Sequence, residues 1–214
     1  MSRTPTPTTP PDMAEEQLCH SEGYPRVCGI DEAGRGPLAG PVVAAAVILP
    51  AGYELPGLND SKKLTARKRE ALYAELMADE TVQKCIAQAT VEEIDELNIL
   101  RATHLAMRRA AEGLPGGVDF CLIDGLPVPG FPLPSRSIVK GDARCLSIAA
   151  ASILAKVWRD HYMQDLHRQH PEYGFDRHAG YGTKAHMQAL REHGATVHHR
   201  RTFAPVTQLE LPLV

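Results

Sequence analysis

Cys28-Gly-Ile-Asp-Glu-Ala-Gly-Arg-Gly-Pro-Leu-Ala-Gly40 is the stretch on which the reading of the whole chain turns. Val27, Cys28 and Ile30 have the character of the end of a buried strand. Two adjacent carboxylates, Asp31 and Glu32, follow at once. Glycines at 34, 36 and 40 and the lone Arg35 come next, and then a second apolar run, Pro41-Val-Val-Ala-Ala-Ala-Val-Ile-Leu49. A buried strand that ends in paired acids is costly unless positive charge sits there. A divalent metal bound to a phosphodiester would supply that charge.

Working outward, the Gly34-Arg-Gly-Pro37 turn separates a strand at residues 26–30 from one at residues 41–49. So short a link predicts antiparallel neighbours. Asn59-Asp-Ser-Lys-Lys-Leu-Thr65 reads as a loop. Thr65 then caps a helix to about residue 77, with Leu72 and Leu76 as an i, i+4 apolar pair. Residues 82–91 alternate as a third strand. A helical stretch follows from Glu92 to Glu112, where Gly113 stops it. Val118-Asp-Phe-Cys-Leu-Ile-Asp124 is a fourth strand, apolar until its terminal acid, and Ser137-Ile-Val-Lys140 is a short fifth. Gly141-Asp142-Ala143 opens a long helix that carries Ser147-Ile-Ala-Ala-Ala-Ser-Ile-Leu-Ala-Lys156 and ends near residue 170. Thr183 caps a last helix to His193. The order predicts an α/β domain with a mixed five-stranded sheet flanked by helices, plus extra C-terminal helices.

Residues 1–22 hold prolines, threonines and acids with little aliphatic periodicity, which predicts a disordered tail. Folded structure is expected from about Tyr24, as one domain over residues 23–206, with residues 207–214 an exposed tail. Within the 214 residues, hydrophobic content is 43% and charged content 23%, the balance of an ordinary globular protein. The net charge of −3 does not announce a nucleic-acid binder. Two local basic runs do stand out, one at Lys62, Lys63, Arg67, Lys68 and Arg69, the other at His198, His199, Arg200 and Arg201. Each run would steer a polyanion, or simply form a solvated helix face. The five cysteines show no C-x-x-C spacing and read as small core hydrophobes in a reducing compartment. No apolar run reaches transmembrane length and the N-terminal stretch has no apolar leader-like core, so the cytoplasm is the expected location, with a monomer the simplest assembly.

The acids fall in a pattern. Asp31 and Glu32 end strand one, Asp124 ends strand four, and Asp142 lies just after strand five. Carboxylates at the ends of neighbouring strands can converge while the strands stay buried. Hard oxygen donors without convergent His or Cys suit Mg²⁺ or Mn²⁺ rather than Zn²⁺. Two such ions about 4 Å apart are a recurrent way to drive in-line attack of water on a phosphodiester. Taken singly, Asp124-Gly125 also reads as a turn and Asp142 as a helix cap. Adjacent acids after an apolar strand have no capping role.

Gly29-Ile-Asp-Glu-Ala-Gly-Arg-Gly-Pro-Leu-Ala-Gly-Pro-Val-Val43 resembles the signature of ribonuclease HII, the bacterial type 2 ribonuclease H. Asn59-Asp-Ser-Lys-Lys-Leu64, Ile94-Asp-Glu-Leu-Asn-Ile-Leu100, Leu122-Ile-Asp-Gly125 and Lys140-Gly-Asp142 extend the resemblance. So do residues 147–157 with Arg159-Asp160, Gly180-Tyr-Gly-Thr183 and His199-Arg-Arg-Thr-Phe203, in the same order, over about residues 24–206. The resemblance implies a ribonuclease H-like fold. It implies endonucleolytic hydrolysis of RNA in RNA–DNA hybrids, and incision 5′ to single ribonucleotides in duplex DNA, leaving 5′-phosphate and 3′-hydroxyl ends. It implies roles in ribonucleotide excision repair and RNA primer removal.

By the same resemblance, Asp31, Glu32, Asp124 and Asp142 would be the catalytic, metal-holding acids. Gly34, Arg35 and Gly36 would sense the 2′-hydroxyl, the group that distinguishes RNA from DNA. Tyr181 would recognise the ribose-to-deoxyribose junction; as an ordinary side chain it would clamp the last helix. Lys62, Lys63, Ser152 and Lys156 are candidate phosphate contacts, Lys156 being equally able to snorkel. Arg200 and Arg201 are candidates to hold the DNA strand. Ala179 stands where the family has a lysine, and Thr202 where it has serine. Outside the catalytic match, Gln208-Leu-Glu-Leu-Pro-Leu213 resembles the short peptides that bind the bacterial sliding clamp, unless it packs back on the domain.

Overall fold

The computed structural model describes residues 10–58 and 64–210. Its strands are β1 (Val27–Ala33), β2 (Val42–Ile48), β3 (Gln83–Ala89), β4 (Phe120–Asp124) and β5 (Ser135–Ile138). Its helices are α1 (Ala14–Ser21), α2 (Ala66–Ala78), α3 (Val91–Leu97), α4 (Ile99–Glu112), α5 (Leu146–Gln169), α6 (Phe175–His178), α7 (Lys184–His193) and α8 (Ala204–Glu210). The strands form one sheet in the order β3-β2-β1-β4-β5. As the short turn predicts, β1 and β2 are antiparallel, with Asp31 opposite Ala45. β1 runs parallel to β4, pairing Ile30 with Ile123, and β4 runs parallel to β5. The parallel pairing makes the acidic ends of β1 and β4 leave the sheet at the same edge.

The strand β2 shows how the layers are built. Val43, Ala45 and Val47 pack against small residues of α5 and against Leu72 and Leu76 of α2. The alternate residues Val42, Ala44 and Ala46 pack against Ala102, Ala106 and Ala110 of α4. A strand's two-residue period thus serves two helical layers at once. The small residues of α5 let it lie close on β1: a Cβ at Gly29 would meet the Ile148 nitrogen at 2.3 Å.

The structure departs from the sequence reading at several elements. The disordered tail expected over residues 1–22 contains α1, in which Cys19 is wholly buried. The Glu16 carboxylate is buried too, and its Oε1 accepts from the Ser147 N–H at 2.8 Å and the Cys145 thiol at 3.1 Å. The segment is held by this cap and by Leu146 N–H donating to the Asp12 carbonyl at 2.8 Å. Cys19 adds apolar packing beside Val27, Phe120 and Ile148, but one buried apolar residue makes no stripe, which is why periodicity overlooks the helix. The single helix expected from Glu92 to Glu112 is two helices. Asn98 sits between them at φ +70°, and its side-chain oxygen caps α4 through the N–H groups of Leu100 and Arg101. Asp142 lies in a separate 3₁₀ turn, Gly141–Ala143, ahead of α5 and not at its first turn. The tail expected from residue 207 begins inside α8, with Gln208 exposed; residues 211–214 lie outside the described residues, as do Lys62 and Lys63.

Candidate active site

Asp31 is 5% exposed near the end of β1. Its Oδ1 accepts from the Glu32 N–H at 2.7 Å, and Ser152 of α5 hydrogen-bonds the same carboxyl. Ser152, expected as a phosphate contact, lines the cleft and also serves the carboxylate. Burial, then the charges of Glu32 and Asp124, push the Asp31 pKa well above the usual carboxylate range. Three acids from two strands thus share one electrostatic environment. Asp124 ends β4, where its Oδ1 accepts from the Gly141 N–H at 2.7 Å. That bond ties the end of β4 to the turn that carries the buried Asp142.

Among the described residues no group of three or more His, Cys, Asp or Glu already surrounds a common metal position. All four acids offer hard oxygen, and the Asp31 pKa is raised by burial and then by the charges of Glu32 and Asp124, a repulsion that a divalent cation would offset. Asp31, Glu32, Asp124 and Asp142 fit such an ion.

Asp31 and Glu32 line a cleft of about 440 Å³, with Gly34, Arg35, Lys156 and Tyr181 also on its walls. Asp124 and Asp142 are not on its walls: Asp124 acts on Asp31 through its charge from the end of β4, and Asp142 sits on the turn that Asp124 binds. Arg35 is half exposed and reaches Glu32 Oε1 at 3.4 Å. Lys156 is paired to Asp160 at 2.7 Å. Gly34 has φ +95°, in the left-handed region that favours glycine. Tyr181 is 48% exposed, and its ring edge lies 3.3 Å from where a Cβ on Gly36 would stand.

Two buried arginines stand behind this loop. Arg159 of α5 donates to the carbonyls of Pro41, Ala39 and Ala179 at 3.0, 3.0 and 3.1 Å. Arg200 donates to the carbonyls of Gly34, Arg35 and Gly40, the shortest contact being 2.6 Å to Gly34. Burial lowers their pKa values to about 10 and about 9, which still leaves both charged at neutral pH. Arg200 is thus corrected from a DNA contact to an internal clamp, because its guanidinium is wholly buried. Arg201 is exposed, and its N–H bonds Asp95 at 2.9 Å. Asp95 also accepts from the Thr202 N–H and hydroxyl, so threonine preserves what a serine would offer there. Sequence reasoning assigned no role to Arg159 or Asp95. The signal was their place inside quoted motifs, but neither type announces a bond to backbone.

The fold and the acid-lined cleft define a ribonuclease H-like nuclease. Ribonuclease H2 from Pyrococcus horikoshii OT3 superposes with a TM-score of 0.73 at 25% identity, covering 86% of this chain and 97% of that one. RNase HII of Archaeoglobus fulgidus, solved in a PCNA:RNase HII complex, superposes with a TM-score of 0.71 at 24% identity, covering 83% and 95%. A ribonuclease HII from Cereibacter sphaeroides (strain ATCC 17029 / ATH 2.4.9) is 60% identical over 199 residues, 92% of this chain and 93% of that protein. The family model for ribonuclease HII matches residues 28–206. The chain belongs to the ribonuclease HII family, endonucleases of the ribonuclease H class that cleave RNA in RNA–DNA hybrids.

Proposed function

We propose that this ribonuclease HII also nicks duplex DNA on the 5′ side of single embedded ribonucleotides, leaving 5′-phosphate and 3′-hydroxyl ends. Its task is then ribonucleotide removal from DNA and RNA primer removal, carried out in the cytoplasm as a monomer. The observation that carries this reading is the contact between Gly36 and Tyr181 on the wall of the cleft that holds Asp31 and Glu32. A sugar-facing ring and a glycine loop beside an acid cluster couple sugar identity to hydrolysis.

In this reading Asp31, Glu32, Asp124 and Asp142 hold two divalent ions, Mg²⁺ or Mn²⁺. Such ions, when bound, activate water and offset the charge on the leaving oxygen. The chain's own residues do the rest. Ser152 orients the Asp31 carboxylate. Gly34, Arg35 and Gly36 present backbone and guanidinium to the 2′-hydroxyl, and Tyr181 stacks on the adjoining deoxyribose. Lys156, held by Asp160, faces a phosphate. Arg201 lies on the outer surface for the DNA strand, and Lys62 and Lys63 are phosphate contacts by family resemblance alone.

The decisive experiment offers a duplex with one embedded ribonucleotide, an RNA–DNA hybrid and an all-DNA duplex, each with Mg²⁺ or Mn²⁺. The first two are cut and the third is not. Equal cutting of the all-DNA duplex would falsify the sugar-sensing assignment. We place a sliding-clamp contact at residues 208–213, supported by the exposed Gln208 and by the sequence pattern. The A. fulgidus relative was solved with PCNA. Pull-down by the bacterial clamp, with and without residues 208–214, tests it; equal capture removes the idea.

A further inference from the structure

Under the Tyr181 loop lie two fully buried histidines, His186 and His199, whose protons have one arrangement. The Thr196 N–H donates to His199 Nδ1 at 3.0 Å. A neutral imidazole carries one proton, so that of His199 sits on Nε2. There it donates to His186 Nε2 at 3.1 Å. The His186 proton must then be on Nδ1, which donates to the Tyr181 carbonyl at 3.0 Å. Each link fixes the next, from a backbone donor at Thr196 to the Tyr181 carbonyl, which accepts from the Thr183 N–H as well, at 2.8 Å.

The surroundings keep the rings in place. His178 stacks on His186 with centroids 4.7 Å apart. Its Nδ1 accepts from the Gly180 N–H at 3.2 Å, and its Nε2 donates to the Tyr173 carbonyl at 2.9 Å. Leu38 N–H donates to the Gly180 carbonyl at 2.8 Å, which joins the same loop to the segment that follows the Gly-Arg-Gly turn. Burial keeps both chain histidines neutral, with pKa values lowered to about 4 for His186 and about 3 for His199. Neither ring lines the cleft, so neither is placed to touch substrate.

We propose that His186 and His199 are positioning residues for Tyr181: their hydrogen-bonded chain fixes the Tyr181 carbonyl, and with it the setting of the ring against Gly36, so that recognition of the ribose-to-deoxyribose junction depends on them. The proposal rests on the junction-reading role given to Tyr181 above. It extends that role from the exposed ring to a buried support that begins five positions on, at His186, and continues to His199.

The test uses the full chain and one ratio: kcat/KM on a duplex with one embedded ribonucleotide, divided by kcat/KM on a uniform RNA–DNA hybrid. His186→Leu removes both ring nitrogens and lowers the ratio about tenfold, the size expected for a lost buried hydrogen bond. His186→Asn, whose amide N–H reaches the Nδ1 position, restores most of it. In a Tyr181→Ala background His186→Leu lowers the ratio no further, because the two act as a unit. His199→Asn keeps an acceptor for Thr196 but cuts the link to His186. It lowers the ratio several-fold, and it serves should the leucine variant fail to fold. The positioning role is overturned if Tyr181→Ala lowers the ratio while folded His186→Leu and His199→Asn leave it unchanged. It is equally overturned if His186→Leu costs as much without the Tyr181 ring as with it. If Tyr181→Ala itself leaves the ratio unchanged, the junction-reading role of Tyr181 falls, and the positioning role with it.

Discussion

Arg159 fills the space that a side chain at position 34 would need: a Cβ on Gly34 would stand 2.1 Å from the Arg159 Nε. The glycine is therefore required twice, by its φ of +95° and by the guanidinium behind it. Arg159 cannot withdraw without giving up three carbonyls. The shape of the Gly-Arg-Gly loop is set from inside the protein as well as by its own sequence.

Gly34→Ala is accordingly expected to cost about 2 kcal/mol or more, from a strained left-handed residue and a displaced arginine, which lowers the melting temperature by about 5 °C. Cleavage of hybrids falls further than stability does, because the displaced loop forms a wall of the cleft. A variant that melts and cuts like the wild type would show that the loop is free to move.

Arg200→Lys distinguishes clamp from nucleic-acid contact. A lysine cannot reproduce the fork that spans the carbonyls of Gly34, Arg35 and Gly40. The expected result is a loss of about 2–3 kcal/mol in denaturant melts, with the salt dependence of substrate binding unchanged. A shallower salt slope with wild-type stability would return Arg200 to the DNA interface.

Asp31→Asn removes one charge from a buried cluster of like charges. Without divalent ions the variant is expected to melt at or above the wild-type temperature, since the carboxylate is held under burial and repulsion. Added Mg²⁺ or Mn²⁺ raises the wild-type melting temperature but not that of the variant. Hydrolysis drops by about 10³-fold or more, in line with loss of transition-state charge stabilisation. Equal stabilisation of both proteins by metal would place the ion elsewhere.

The buried histidines predict a pH dependence. Their folded pKa values, about 4 and about 3, lie below the ordinary value near 6.5. The unfolded chain then binds more protons than the folded one between those limits, so stability is intact above about pH 6.5 and falls as the pH drops toward 4. His178, stacked on His186, and His170 and His198, beside His199, face the pair from neighbouring elements, and burial lowers the His198 pKa as well. Urea midpoints measured from pH 7.5 to 4.5 should fall less steeply for His186→Asn than for the wild type. Parallel curves would mean that His186 takes up its proton without strain.

Glu16→Ala tests the cap on α5. Loss of the bond to the Ser147 N–H is expected to cost about 1–2 kcal/mol, a melting shift of a few degrees, with the choice between substrates unaltered. Unchanged stability would reduce α1 to a passive attachment.

The sequence made some of this visible and hid the rest for physical reasons. The alternation of Val and Ala at residues 42–48 and the short turn before them marked the antiparallel pair. Asp31 and Glu32 stood out because no helix end or turn excuses two acids after an apolar strand. The break at Asn98 was hidden because the apolar pattern of α3 runs on into α4, while the positive φ belongs to one residue. Arg200 looked like a surface charge because arginines bonded only to carbonyls are rare and leave no partner acid to find in the sequence. The His186–His199 chain crosses elements, and its meaning lies in proton positions that residue types alone do not encode. The α1 segment was hidden because the helix buries one carboxylate and one apolar residue, Glu16 and Cys19, which make no stripe.

The bond from Glu16 to Ser147 spans 131 positions. A ribosome releases α1 long before it has made the helix end that α1 covers. β1 likewise waits for β4, which is specified some ninety residues later. Domains assemble as units once their parts are available, so the growing chain cannot cap α5 with Glu16 until the residues around Ser147 have been made. The contact that seats Glu16 is therefore open only to a chain already extended past β5 and into the helix bearing Ser152.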